Sequence, residues 1–456
     1  MNGPDTLDLF NRFVVPNYGR FNLRLDHGEG CRVWDEDGKR YLDFGAGIAV
    51  CSIGHGHPRL LKTMTEQLQR LVHVSNLYYT RPQGLLAERL VRYVGQPGKV
   101  FFCNSGAEAN EALYKLARKF GNETVPPPPV HSVGELVEAE HNRYEIITFN
   151  GSFHGRTMAG ISATGQEKVK KGFEPMVDGF KHVPFNDAPA LLAAITPKTA
   201  AVLLEPIQGE SGIKPASANF LKTLRSICDD HGLLLMFDEI QCGLGRTGNW
   251  CGWRSIAPEV QPDAISWAKG IAGGFPLGAI WVRDKAIRLK AGGEGSLANL
   301  FGPGSHGTTF GGTPLVCSGA NTVLEIIEQE GLLENAAKLG EYAKGKLMAL
   351  RAEFGVSVIR EVRAVGLMIG IELGAALEKS VASNGRPLSL VMVDRLHQAG
   401  LLSVPSGTNT LRWLPPLNVT AEEVDEAVGI LRKVLLSFDL QSPAEGTLAE
   451  AVGKGK

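Results

Sequence analysis

KVFFC-NSGAEAN-EALYKLARKF, residues 99–120, is the stretch whose reading decides the fold. Lys99 to Cys103 is an apolar run without alternation, and it stops abruptly at small polar residues. From there Ala109, Leu113 and Leu116 recur at helical spacing. This is a strand feeding a helix through a tight turn. The same rhythm returns further along. TAAVLL (Thr199 to Leu204) stops at Glu205-Pro206, LLLMF (Leu233 to Phe237) at Asp238-Glu239, and AISW (Ala264 to Trp267) at Ala268-Lys269-Gly270. Strands that are apolar throughout are covered by helices on both faces, so the middle of the chain reads as α/β, with a large doubly wound and mostly parallel sheet. In such sheets ligands gather beyond the carboxyl ends of the strands. That rule alone selects Asn104 to Ala107, Glu205, Asp238 to Gln241 and Lys269.

The C-terminal third has a different texture. A long helical stretch (NTVLEIIEQEGLLENAAKLGEYAKGKLMALRAEF) precedes strand candidates ending in GLMIGIEL, the helix MVDRLHQAG, and a last helix capped by Thr420 with Glu423 three residues on. This reads as a smaller α+β domain, which the N-terminal segment joins through a hairpin around Asp37-Gly38. The expected division is 1–60 and 321–440 for the small domain, 61–320 for the large one, and a tail at 441–456 without fixed structure. Pro126 to Arg143 reads as an inserted spacer.

Of the 456 residues 55 are Gly, without a G-X-Y period, so they mark turns and places where backbone approaches a ligand. Lys and Arg number 47 against 48 Asp and Glu, which gives no reason to expect nucleic acid or an anionic membrane. The seven cysteines show no C-x-x-C pair, and no apolar run approaches the ~18 residues of a membrane span. The expectation is a soluble, cytoplasmic protein with small-molecule partners.

Three features could carry chemistry. Asn104-Ser105-Gly106-Ala107 points backbone N–H groups and a hydroxyl at one spot, a phosphate site unless Ser105 is a plain helix cap. Asp238, ending an apolar strand, needs a cation or donors; an ion pair or a cap would also satisfy it. Lys269, at the next strand end in AKGIAGGFPLGA, is placed for a lowered pKa and imine chemistry, or is an ordinary surface lysine. A phosphate cradle, a carboxylate for a ring nitrogen and an imine-forming lysine are together what pyridoxal phosphate requires. His55 and His57 in GHGHP have no companion ligand cluster, so no metal is expected.

The stretches GIAVCSIGHGHP, FFCNSGAEANEALYKLARK, SFHGRTMAGISATG, LLEPIQGESG, FDEIQCGLGRTG, WAKGIAGGFPLGA, HGTTFGG and LRWLPPLNVT resemble class III pyridoxal-phosphate aminotransferases from about Phe21 to Leu435. The resemblance implies fold type I and a homodimer with active sites at the interface. It further implies that Lys269 holds the cofactor and shuttles the proton, and that Ser105, Gly106 and Ala107 hold the phosphate. Thr309 would reach that phosphate from the other subunit, with Thr308 near substrate. Phe153 would stack on the ring, Asp238 pair with its nitrogen and Gln241 with its hydroxyl, while Glu239 and Ile240 complete the cofactor contacts. Arg156 would bind the distal carboxylate of the substrate, and Arg412 the α-carboxylate of glutamate, with Glu210 masking Arg412 while the ω-amine donor is bound. Cys242 and Thr313 depart from the family's usual Thr and Asn. The reaction so implied moves the δ-amine of N2-acetyl-L-ornithine to 2-oxoglutarate. Ornithine, succinylornithine or 4-aminobutyrate as donor, an aminomutase, and a non-enzymatic phosphate-ligand binder are the alternatives.

Overall fold

The computed structural model describes residues 5–125, 142–381 and 385–438. Most of the 126–143 excursion and the tail from 441 lie outside them.

Seven strands form the central sheet: β1 (Gly98–Cys103), β2 (Glu145–Phe149), β3 (Phe180–Val183), β4 (Thr199–Leu204), β5 (Leu234–Asp238), β6 (Ala264–Trp267) and β7 (Gly278–Arg283). Their order is β1-β7-β6-β5-β4-β2-β3, with every pairing parallel except the two made by β7. All of β4, β5 and β6 is buried, as unbroken apolar runs require once helices cover both faces. Asp263, fully buried just ahead of β6, ties this strand to β5: it accepts the Leu235 N–H at 2.9 Å and pairs with Arg225 at 2.9 Å and Lys285 at 3.2 Å. Burial alone would raise its pKa, but the two cations outweigh that and hold it below the usual carboxylate range.

The helix Gly106–Glu123 follows β1 directly. Ser105 is its N-cap, with Oγ accepting the Glu108 N–H at 3.2 Å. Gly106 lets the helix start lie against Ile240, whose Cδ1 would sit 2.8 Å from any Cβ placed there.

Two smaller sheets belong to the chain ends. Leu25–Glu29, Arg32–Asp35 and Arg40–Asp43 form an antiparallel meander whose last turn passes through Asp37-Gly38. Leu401–Leu402 adds to it in parallel, with Leu401 opposite Leu42. Ile359–Val365, Met368–Leu373, Thr410–Trp413 and Val404–Ser406 make the other, all antiparallel. The last helix, Ala421–Leu436, opens with a full capping box between Thr420 and Glu423. Among the described residues no helix is long and apolar enough to cross a membrane.

Candidate active site

A cavity of about 440 Å³ lies where five strand ends converge. Asn104 to Ala107 reach it from β1, Phe153 to Arg156 from β2, Glu205 from β4, Asp238, Ile240 and Gln241 from β5, and Ala268 and Lys269 from β6. The carboxyl-end rule thus locates the cavity.

Asp238 is buried at its floor. Its Oδ2 accepts from Asn110 Nδ2 at 2.7 Å and sits 2.9 Å from His154 Nδ1, while among the described residues Oδ1 takes only the Ile240 N–H at 3.1 Å. Asn110 is fixed in turn by Ser266 Oγ at 2.7 Å and by the His154 carbonyl at 2.9 Å. Oδ1 therefore keeps acceptor capacity on a carboxylate that is otherwise well held.

Lys269 follows β6 with φ +48°, a left-handed conformation that costs a non-glycine residue about 1–3 kcal/mol and recurs at functional sites. Among the described residues its amine has no hydrogen-bond or ion-pair partner. Burial first, then the Arg412 charge, lowers its pKa to about 8, against the opposing pull of Glu210, Asp238 and Glu205. A short left-handed turn at Ala46–Ala49 leads into Val50, which also lines the cavity.

At the start of the Gly106–Glu123 helix the Glu108 N–H is taken by Ser105 and that of Ala109 by the Ser105 carbonyl, at 3.1 Å. Among the described residues the N–H groups of Gly106 and Ala107 remain unclaimed at the cavity wall, at the positive end of an 18-residue helix. This is an anion cradle, and Ser105 is also an ordinary cap.

Two arginines face the cavity differently. Arg412 arrives buried on the Thr410–Trp413 strand, donating to Glu210 Oε1 at 2.7 Å, the Gly209 carbonyl at 2.9 Å and Gln241 Oε1 at 3.1 Å. Burial would push the Glu210 carboxyl up, but Arg412 and the more distant Lys269 and Lys168 bring it below its ordinary value. Arg156 is exposed, lines the cavity, and has no ion pair among the described residues; its guanidinium stands 5.5 Å over the Phe153 ring.

Other expected residues are not brought together. Glu239 turns away from the cavity: its Oε1 accepts the Trp253 N–H at 2.8 Å, and burial raises its pKa to about 7. Thr309 lies outside the cavity of its own chain, in a small crevice with Asn76 and Gln83. Thr308 reaches the site through Asn104, whose Nδ2 it accepts at 2.9 Å, and donates to Glu108 Oε1 at 3.5 Å. Cys242 is buried among Ile207, Ile213 and Leu414, and Thr313 caps the Pro314–Gln329 helix. His55 pairs with Asp43 at 2.8 Å and His57 with Glu330 at 3.3 Å; no cluster of metal-ligating side chains occurs among the described residues. Asn110 and His154, which hold Asp238, escaped the sequence reading. Both stand in quoted motifs, GAEAN and FHGR, so position one helical turn past the cradle was the available signal for Asn110.

The family model for class-III aminotransferases matches residues 13–435. The chain belongs to this family. An acetylornithine aminotransferase of Thermosynechococcus vestitus is 44% identical over 435 residues, spanning 94% of this chain and 96% of that protein. Among solved structures, the ornithine aminotransferase of Toxoplasma gondii, with partial occupancy of pyridoxal phosphate, matches with TM-score 0.80 at 30% identity, covering 94% of this chain and 93% of that one. The N-acetylornithine aminotransferase of Stenotrophomonas maltophilia gives 0.73 at 33% identity, covering 94% and 98%. The fold of this class-III aminotransferase is accordingly fold type I, and its cofactor is pyridoxal phosphate. The residues fit that group. The unclaimed N–H pair suits a phosphate, Oδ1 of Asp238 can accept from a protonated ring nitrogen, and the unpartnered amine of Lys269 can bond a carbonyl carbon.

Proposed function

We propose that the enzyme transfers the δ-amino group of N2-acetyl-L-ornithine to 2-oxoglutarate, giving N-acetyl-L-glutamate 5-semialdehyde and L-glutamate. The observation that carries this reading is the contrast between the two arginines. Arg156 stands unpaired at the cavity, ready for a carboxylate far from the reacting amine. Arg412 is latched to Glu210, as a donor with no carboxylate at its reacting end requires. When 2-oxoglutarate enters, its α-carboxylate replaces Glu210 as the partner of Arg412, and Arg156 takes the other carboxylate. The name of the 44%-identical relative supports acetylornithine as donor.

In this reading pyridoxal phosphate, when bound, supplies an electron sink for the carbon that loses its proton. Lys269 carries that proton, its amine kept partly neutral near pH 8 by burial and Arg412. Gly106 and Ala107 anchor the phosphate through backbone N–H groups, with Ser105 at the same turn. Phe153 would cover one face of the ring with Ile240 beside it, and Gln241, already 3.1 Å from Arg412, would be the contact for the ring hydroxyl. Hydrolysis between two half-reactions gives a ping-pong scheme. A panel of amine donors with 2-oxoglutarate tests the assignment: acetylornithine should give the highest kcat/KM, with parallel double-reciprocal lines. Ornithine or 4-aminobutyrate ranking well above it would replace the donor.

The same reading takes the enzyme as a homodimer, with Thr309 serving the partner's phosphate. Thr309 is outside its own cavity and adjoins exposed Phe310, and the run Leu77, Tyr78, Tyr79 is also exposed, a patch that a monomer rarely leaves in water. Sedimentation at micromolar concentration should give a dimer, and Tyr79→Glu should shift it toward monomer with loss of activity.

A further inference from the structure

Glu205 directly follows β4, is 5% exposed and lines the cavity, yet the reaction above gives it no part. Its two oxygens do separate things. Oε2 accepts the Phe153 N–H at 3.0 Å, and Oε1 accepts the Gly209 N–H at 3.3 Å. On the first side, the Phe153 ring carries the Arg156 guanidinium at 5.5 Å. On the second, the Gly209 carbonyl accepts from Arg412 at 2.9 Å and from Ser406 Oγ at 2.8 Å. Gly209 packs closely on the Gln241 carboxamide, which a Cβ there would strike. One carboxyl group thus joins the backbone beneath one guanidinium to the backbone beneath the other.

We propose that Glu205 is a positioning residue that sets the separation of Arg156 and Arg412, and so tunes the cavity to ligands bearing two carboxylates. This rests on the assignment of both arginines as carboxylate receptors.

Its protonation matters for the same reason. An ionised carboxylate accepts fully on both oxygens, whereas a protonated one keeps a single good acceptor. Burial and the charge of Asp238 push Glu205 up, while His154 and the two N–H groups pull it down, leaving it near 7. Cys242 and Lys269 are the other titratable groups that face it. The strap is therefore whole above neutrality and slackens as pH falls through about 7.

The test uses holoenzyme and two unreactive probes. Glutarate has two carboxylates and can span both arginines; pentanoate, of the same length, has one. Neither carries an amine or an oxo group, so the result is independent of which donor the enzyme uses, and the donor panel can fail without affecting it. By calorimetry, wild type should bind glutarate tighter than pentanoate. Glu205→Gln, which keeps the shape but offers one acceptor, should weaken glutarate by roughly tenfold and pentanoate by less than about twofold. Equal weakening of both probes, weakening of neither, or a wild type without preference for glutarate would overturn the proposal. Should the variant not fold, wild type from pH 6 to 8 decides. Glutarate affinity should fall selectively below pH 7, and a parallel response of both probes would count against the strap.

Discussion

Lys269→Ala should lower kcat/KM by on the order of 10⁴-fold, the upper range for a positioned acid–base group, while leaving the fold intact. The effect is large because the amine has two tasks. In the proposed reading it bonds the cofactor, and it moves the proton once substrate has displaced it. Neither has a substitute nearby. The guanidinium groups of Arg412 and Arg156 are donors without acceptor capacity, and the Glu210 carboxylate is committed to Arg412. The lowered pKa is what makes the amine competent: at pH 7.5 a group near 8 is roughly one quarter neutral, far above an ordinary lysine. Two measurements check this. Borohydride should fix the cofactor covalently to the wild-type peptide containing residue 269 and fix none to the variant. Small added amines should restore part of the variant's turnover. Activity within tenfold of wild type would remove Lys269 from the reaction.

What was legible in the sequence follows from how local each signal is. The β1 strand, the Ser105 turn and the helix behind it are contiguous, so their apolar pattern and small residues predicted both the strand end and the cradle. Lys269 and Asp238 were marked by strand-end position, a property of neighbouring residues only. The carboxyl environment of Asp238 was not legible, because its partners Asn110, on the Gly106–Glu123 helix, and His154, in the segment after β2, are 128 and 84 residues away. Glu239 shows the complementary failure. Adjacent to Asp238 in the chain, it turns instead toward the Trp253 N–H, and which side a residue takes after a strand ends is set by tertiary packing. Glu205 was selected by the strand-end rule but given no role, since its two acceptors bridge segments 52 and 4 residues distant. Arg412 was reachable through resemblance alone. It enters from the other end of the chain on an antiparallel strand, and no local pattern announces that a buried arginine will meet Glu210 across 202 residues.

Asp238→Asn should cost turnover about 10³-fold while most cofactor stays bound. In the proposed reading these two functions separate. Cofactor retention would depend on Lys269 and the Gly106–Ala107 cradle, neither of which is hydrogen-bonded to Asp238. Turnover would depend on the negative charge of Asp238, which favours the protonated ring nitrogen and hence the electron sink. An amide has nearly the same shape and can still accept from Asn110 or His154 on one oxygen. It loses the charge, however, and presents an N–H₂ to one of the groups now met by carboxylate oxygen. Asp238→Ala is the harsher control, because it removes the carboxylate that takes one N–H of the Asn110 amide and faces the His154 ring, at about 1–3 kcal/mol of stability. If the carboxylate mattered only to local structure, both variants would lose activity in proportion to their fall in Tm. If it acts through charge, Asp238→Asn should melt close to wild type, carry near-stoichiometric cofactor by absorbance, and still be almost inactive. Near-normal turnover in Asp238→Asn would refute the charge role, since among the described residues the nearby carboxylates are engaged elsewhere: Glu205 holds Phe153 and Gly209, Glu239 holds Trp253, and Glu210 pairs with Arg412.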